Sequence, residues 1–589
     1  MIEGAFSTPP AVAIWVAVPV VLLASRRVGT AAGVLACALV ALWALTAPAG
    51  TQGAWTFLDF TVVPVAVDPA SRITGLAFGA FGAVAIGYVS ATGGDRRHVA
   101  AALVYAGAAV WAVFAGDWLG LLFGWELMAL ASTLLVWFHG GDAVRVGFRY
   151  ALVHAIGGAV LAAGLALHVF ATGFTPDVLH YDDGVASGLP ALAVGIGVGI
   201  NAALIGVHVW LPDTYASPHV GTSVVLSAYT TKLAVYAAYR AFPDGNLALA
   251  YVGGVMAVFG AGYAIAQKDA RRLLAYHIQA QVGYILAGIG IGSALGVAGA
   301  FFHLLNNVFF KGLLFMVAGI LVLRTGTESL QKGGWLGAKT PVVVGAFLVA
   351  AASITAVPGT NGFVSKGMIL DAALEGGHTP LRWLLLIGAV GTIVSFGKFG
   401  YYASVRNDAS PIRDATPAQA LTMVPVAALC LLLGVWYGGL FELLPAASDW
   451  STDPYSQRHV LEKVALFGIG GVAFFVSRPI FERLNGGVDV DVVRDPLVFE
   501  FVRTTAEAVA RTFEAISGVE SAVRRRTVIV ATNPVDSIAR LLPADIETRY
   551  RTRAADVAAT TGIEPDVRFR ILALALCLAF GLLLGVFGR

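Results

Sequence analysis

The chain has 589 residues, 58% of them hydrophobic and 13% charged, with a formal net charge of +2. Soluble globular domains carry about 25% charged residues, so that class is excluded. The net charge says nothing about nucleic acid, and a nucleic-acid binder has no support elsewhere in the sequence. The three cysteines, Cys37, Cys430 and Cys577, lie far apart in apolar runs and give neither metal spacing nor a disulfide framework.

Runs of about 20 apolar residues, each long enough to cross a hydrocarbon core of roughly 30 Å, follow one another along the chain. In chain order they predict spans near 9–24, 29–48, 73–90, 98–116, 118–138, 148–172, 189–210, 218–240, 247–266, 272–293, 298–323, 341–357, 381–404, 418–441, 461–477 and 568–588. The fold class is therefore an all-α polytopic membrane protein of about 16 helices, with 14–16 as the range. The stretches 49–72 and 358–380 are the two places where the count is open. Arg26 and Arg27 are followed at once by a second span, which speaks against a cleavable signal.

Positive charge gathers in alternate loops: Arg26 and Arg27, Arg96 and Arg97, Arg145 and Arg149, Lys268 with Arg271 and Arg272, Arg324 with Lys332 and Lys339, then Arg406 and Arg413. By the positive-inside rule these loops face the cytoplasm and both termini lie outside. The charged stretch 478–567, with no convincing span, falls on the cytoplasmic side; within it 497–518 has helical apolar spacing and reads as a lateral amphipathic helix or a plain linker.

Charges inside the spans are costly, and ionisable residues there usually face a bundle interior or a wet path. In "LLFGWELMAL", Glu126 stands about 12 Å into its span at 1.5 Å per residue. Lys232 and His208 are candidate partners, and a purely structural buried pair is the competing account. His303, Asn307 and Lys311 recur every four residues and make one polar stripe on an apolar helix. His277 and Gln281 form a second such pair, and Lys398 lies deep in a later span. A lone helical histidine is often a satisfied packing residue; several such helices together favour a relay. Lysine suits that task, since arginine stays charged when buried. "WLPDTYASPHVG" and "ITAVPGTNGFVSKG" set Pro212, Pro218, Pro358 and Gly359 between apolar runs, as simple loops or as broken helices of the kind that mark transporter ion sites.

The strings "GWE" at 124–126, "HVWLPDTY" at 208–215, "TTKLAVYAAYR" at 230–240, "AQKDARRLLAYHIQAQVGYI" at 266–285, "HLLNNVFFKGLLFMVAG" at 303–319 and "VPGTNGFVSKG" at 357–367 occur together and in order. With them the chain resembles the antiporter-like membrane subunits shared by respiratory complex I and the multisubunit (Mrp-type) sodium/proton antiporters, most of all the D-type member of the latter. The resemblance covers roughly residues 70–405. It implies two inverted five-helix repeats with broken helices, set as a first half at 73–240 and a second at 241–405. Helices at 1–72 would precede them, with further helices at 406–477, the segment 478–567 and a last helix at 568–589. It also implies a proton-relay axis of Glu126, Lys232, His208, His277, His303, Lys311 and Lys398, the last at the terminal end.

The chain departs from the family at Asn201, where a lysine usually partners the glutamate, and at Asn307, where a second histidine is common. An asparagine at 201 carries no proton, so Lys232 or His208 would take over. The implied function is proton translocation within a multisubunit cation/proton antiporter, with other membrane subunits, protons and possibly sodium as partners. A proton-pumping subunit of an NADH- or hydrogenase-type complex and a non-conducting structural subunit are the alternatives. No catalytic site, cofactor or metal site of its own is expected, since neither a nucleotide nor an iron–sulfur motif occurs.

Overall fold

Within lipid every backbone N–H and C=O must be satisfied inside the segment, so charge-free aliphatic runs become helices. The computed structural model describes residues 8–181, 184–330, 337, 339–405, 413–445, 453–484, 548, 549 and 552. The chain divides into a unit spanning Met1–Gly486 and a second spanning Gly487–Arg589; the elements below belong to the first. The expected last span at 568–588, Cys577 and nearly all of 478–567 lie outside the described residues.

Helices α1 (Ala11–Leu23) and α2 (Arg26–Thr46) are followed by α3 (Pro69–Ala91), α4 (Arg96–Phe114), α5 (Trp118–Trp137) and α6 (Asp142–Thr172). Four helical pieces come next: α7 (Leu189–Asn201), α8 (Trp210–Ala216), α9 (Val220–Leu226) and α10 (Thr230–Ala241). The second half comprises α11 (Leu247–Ala266), α12 (Ala270–Ile291), α13 (Ala294–Thr325), α14 (Pro341–Thr355), α15 (Asn361–Glu375) and α16 (Thr379–Val405). Beyond it stand α17 (Pro417–Val435), the single turn α18 (Gly438–Phe441) and α19 (Gln457–Leu484). Among the described residues ten helices are long and apolar enough to cross a membrane. Helix α12 is also 22 residues long, but His277, Gln279 and Gln281 in its middle make it less apolar than those ten.

The span expected at 189–210 is the 13-residue α7 followed by a break at 202–209, that at 218–240 is two short helices, and 358–380 carries α15 after a break. The stretch 49–72 is no span either. It holds two nested antiparallel strand pairs, β1 (Gly50–Gln52) with β4 (Val65–Val67) and β2 (Trp55–Phe57) with β3 (Phe60–Val62). Leu58 and Asp59 both take positive φ, 47° and 66°, the two-residue turn whose twist matches paired strands.

Several helices start where an aspartate precedes an apolar run. Asp68, Asp95, Asp117 and Asp269 each accept backbone N–H bonds at the first turns of α3, α4, α5 and α12. At the centre, α13 is buried without interruption from Gly296 to Leu321, its polar stripe of His303, Asn307 and Lys311 included. Helices α11 and α12 meet backbone to backbone at Gly253 and Gly283, where a Cβ would lie 2.5 Å and 2.4 Å from the facing carbonyl. The N-terminus of α12 and the C-terminus of α13 lie at one end of the bundle, joined by a bridge between Asp269 and Ser329. Their connection at 292–293 marks the opposite end.

Candidate functional site

The titratable groups of α12 and α13 meet inside the second half. His303 is fully buried, with Nε2 3.2 Å from Gln281 Oε1 and Nδ1 2.9 Å from Ser365 Oγ on α15. The Ser365 hydroxyl also lies 3.1 Å from the Asn361 carbonyl. In the imidazolium form both ring nitrogens donate, and Ser365 donates to Asn361. In the neutral form with the proton on Nε2, Ser365 donates to Nδ1 instead. The ring can therefore exchange a proton while no heavy atom moves. His277, one helical turn from Gln281, hydrogen-bonds Ser395 Oγ on α16 at 2.8 Å. Asn306 donates to the Asn361 carbonyl at 3.0 Å.

Around this core the amides of Asn307 and Asn361, Gln281 Nε2, Asn306 Oδ1 and His277 Nδ1 are buried with no protein partner among the described residues. Each such atom left dry costs about 1–3 kcal/mol, and together they approach a whole domain's net stability of roughly 5–15 kcal/mol. Hydrogen bonds to water remove that cost, so the seam is built to be wet.

Among the described residues no carboxylate pairs with Lys232, Lys311 or Lys366. Lys232 donates to the Ser227 carbonyl at the end of α9, 2.7 Å away. Lys366 donates to the Ile354 carbonyl in the last turn of α14, 2.7 Å away, with its ammonium 4.6 Å from the Tyr284 ring centroid. Lys398 donates to the carbonyls of Ile265 and Gln267, both at 2.7 Å, where α11 ends. Helix ends leave carbonyls unpaired and carry partial negative charge, which favours a cation by up to about 2 kcal/mol in partly buried sites. A fourth lysine, Lys311, donates to the Leu274 carbonyl of α12 at 2.8 Å. It interacts electrostatically with both Lys232 and Lys366, and His303 with the same two.

The first half is arranged differently. Glu126 lies on the outward face of α5, near exposed Phe123 and Leu130, and its carboxylate rests against Gly158 of α6. A Cβ at Gly158 would stand 1.7 Å from Glu126 Oε1. Among the described residues no ion pair joins Glu126 to Lys232 or to His208, the two alternative candidates for its partner. Asn201 is buried with both amide atoms unpaired among the described residues, on the far side of the adjacent Gly157. His208 is buried against Phe259 and Tyr276 in the broken segment between α7 and α8. Gln279 of α12 holds that break by donating to the Ala203 carbonyl at 2.9 Å.

Polar groups that the sequence did not single out join these places. His154 is buried on α6 with Nδ1 3.0 Å from the Tyr150 carbonyl and Nε2 without a partner among the described residues. The Tyr150 hydroxyl reaches Ser132 at 2.8 Å and Thr230 at 3.4 Å, and Thr230 also bonds Tyr105 at 2.6 Å. Two residues further along α10 stands Lys232. The i, i+4 spacing of Tyr150, His154 and Gly158 was the available signal. Lys366 was likewise passed over, although it follows the Pro358–Gly359 break by less than three turns.

At the end of the bundle marked by Asp269 and Ser329 lies an open polar cleft of about 490 Å³, lined by His139, Asp269, Arg271, Arg272 and Glu328 among others. Arg271 pairs with Glu328, and Asp213 takes both Arg272 and Arg149. Burial, with the Glu328 hydrogen bond and charge, pushes the Asp269 carboxyl well above the usual carboxylate range. Burial also opposes charge on Glu328, but the hydrogen bond from Asp269 and the guanidiniums of Arg271 and Arg272 hold it below its ordinary value. The opposite shifts favour a proton on Asp269 over one on Glu328. Lys398, expected at the terminal end of the relay, lies at this same end beside Gln267.

A helical bundle of this length, with hydrogen-bonded histidines and lysines buried between its spans, defines a polytopic membrane protein with a titratable interior. A family model described as NADH:quinone oxidoreductase/Mrp antiporter, TM, matches residues 115–436, more than half of the chain, and the chain belongs to that family. F(420)H(2) dehydrogenase subunit L of Methanosarcina mazei is 29% identical over 345 residues, 51% of this chain and 51% of the relative. The chain thus spans about half the length of that relative. The D component of the Na(+)/H(+) antiporter of Alkalihalophilus pseudofirmus is 26% identical over 362 residues, 58% of this chain and 73% of the relative. A chain in the structure of the Mrp complex from Dietzia sp. DQ12-45-1b shares the fold, with a TM-score of 0.67 at 21% identity, covering 78% of this chain and 100% of that chain.

Proposed function

We propose that this chain is the proton-translocating subunit of a multisubunit cation/proton antiporter, sodium being the favoured cation. Protons pass along an axis of Lys232, Lys311, His303, His277 and Lys366, with Glu126 at a boundary to a neighbouring subunit. The observation that carries this is the hydrogen-bonded run Gln281–His303–Ser365–Asn361, which links α12, α13 and α15 through a ring able to take or release a proton in place. The second half extends the run through His277 and Ser395 to Lys398.

The same device occurs twice, a lysine on the end of a short helix at a break: Lys232 beyond α9 and Lys366 beyond α14. That repetition supports two related halves, 73–240 and 241–405, in inverted orientation. Because these charges sit in a poorly screened interior, moving a proton at one site changes its neighbours' affinity for theirs. The positive-inside bias supports a cytoplasmic cleft at Asp269 and Glu328, with the N-terminus outside.

The test is proton flux in vesicles carrying the native complex, with Lys311→Met as the variant. Loss of cation-driven proton movement with the complex still assembled is the expected result. Wild-type flux would sink the relay and leave a structural subunit. The 29% identity to an F(420)H(2) dehydrogenase subunit favours a second reading, a redox-driven proton pump. Companion subunits co-purifying with the chain decide between the two: antiporter subunits support the first, redox subunits the second.

A further inference from the structure

We infer that Asp371, His459 and Lys463 form a proton-release site at the end of the axis opposite the Asp269–Glu328 cleft, and that α19, beyond the matched family region, supplies most of it. The inference rests on the relay proposed above.

Position comes first. Ile369 of α15 packs against Gly288 of α12 and Gly299 of α13, near the connection between those helices. The cleft lies at their other ends. Asp371, half a turn past Ile369, therefore sits on the far side of the bundle from the cleft. Helix α19 starts at Gln457 and brings His459 and, one turn on, Lys463 to the same place. The three residues are 5%, 7% and 4% exposed.

Chemistry follows. His459 Nε2 stands 3.0 Å and 2.8 Å from the two Asp371 carboxylate oxygens, and Nδ1 lies 3.3 Å from the Asp453 carbonyl and 3.1 Å from Ser456 Oγ. With a carboxylate on one nitrogen and a carbonyl on the other, the ring is served best as an imidazolium that neutralises Asp371. Lys463 makes no hydrogen bond or ion pair among the described residues, yet it lines a small cavity of about 10 Å³ with Gly367, Asp371 and His459, about the room one water needs. Gly367 adjoins Lys366, which interacts electrostatically with Lys463. A purely structural His–Asp pair has no need of a third buried cation beside it, since burying one costs several kcal/mol.

The step balances simply. An N–H bond of the Lys366 ammonium breaks as a water oxygen takes the proton. A different O–H of that water breaks as the Lys463 amine becomes ammonium. An N–H bond of Lys463 then breaks as a carboxylate oxygen of Glu462 on the same cavity wall takes the proton. That O–H breaks as an outside water takes it, which restores the Glu462–Arg382 pair. The His459–Asp371 pair stays charged throughout and holds a carboxylate beside the Lys463 ammonium as it forms.

The experiment uses the full chain in its native complex, reconstituted in vesicles, with Lys463→Arg. Arginine keeps the charge but does not release a proton, so the complex should assemble while proton flux falls about tenfold or more. Lys463→Gln, which cannot carry a proton either, should show the same loss. Lys311→Met run alongside separates the claims. Wild-type flux in Lys463→Arg with none in Lys311→Met overturns the release site and leaves the relay standing. Wild-type flux in Lys311→Met overturns the relay and this site with it.

Discussion

At the residue scale, Lys232, Lys311 and Lys366 stand on peptide carbonyls, with no carboxylate as counter-ion among the described residues. A carboxylate would pin the proton, whereas helix-end carbonyls stabilise the ammonium by only about 1–2 kcal/mol and leave the neutral amine tolerable. Lys366 and Lys232 occupy equivalent settings, so Lys366→Met should cost as much proton flux as Lys232→Ala, with the complex still assembled. A vesicle assay showing normal flux in either variant removes that lysine from the relay. Glu126 has no ion-pair partner among the described residues, and Glu126→Ala is expected to abolish proton-coupled transport while leaving assembly intact. Normal transport in that variant would return Glu126 to a structural role.

At the scale of elements, close packing fixes where the charges stand. Gly362, in the first turn of α15, approaches α14 so closely that a Cβ would lie 1.8 Å from the Ser353 carbonyl oxygen. Gly362→Ala should therefore push α15 away from α14, at about 1–3 kcal/mol for overpacking. Because Lys366 is held by α14 across this contact, flux should fall with stability. Thermal unfolding in detergent measures the first effect and the vesicle assay the second. Gly158→Ala is a milder case: its clash falls on the flexible Glu126 side chain, so transport should suffer while the melting temperature scarcely moves.

At the scale of the whole molecule, the cleft end of the bundle carries a pair of carboxyl groups, Asp269 and Glu328, that makes a pH-sensitive latch. Asp269 has its proton affinity raised on folding, so its contribution to stability is present at low pH and lost as pH rises through the shifted value. Glu328 is shifted the other way, so its contribution is lost as pH falls through its lowered value. Stability from the latch should thus peak between the two. Asp269→Asn donates the same hydrogen bond with no proton to lose, so its melting temperature should decline less than wild type on the alkaline side. Equal alkaline declines would show that the Asp269 proton is not what holds the latch.

The span-forming runs, the breaks at Pro218, Pro358 and Gly359, and the polar stripe of His303, Asn307 and Lys311 were all legible in the sequence, because apolar length, proline and i, i+4 spacing are local properties. So was the placing of His277, Gln281 and His303 on two successive helices, where all three are buried. Pro212 falls inside α8, and the break before it, at 202–209, carries no proline. What the sequence left open was partnership. That Lys232 turns to a helix end and not to Glu126, that Lys398 belongs to the cleft end, and that His459 meets Asp371 across 88 positions were decided by packing alone. Burial makes an unpaired charge so costly that its partner is dictated by whichever polar group the fold brings within reach, and that group can come from anywhere in the chain.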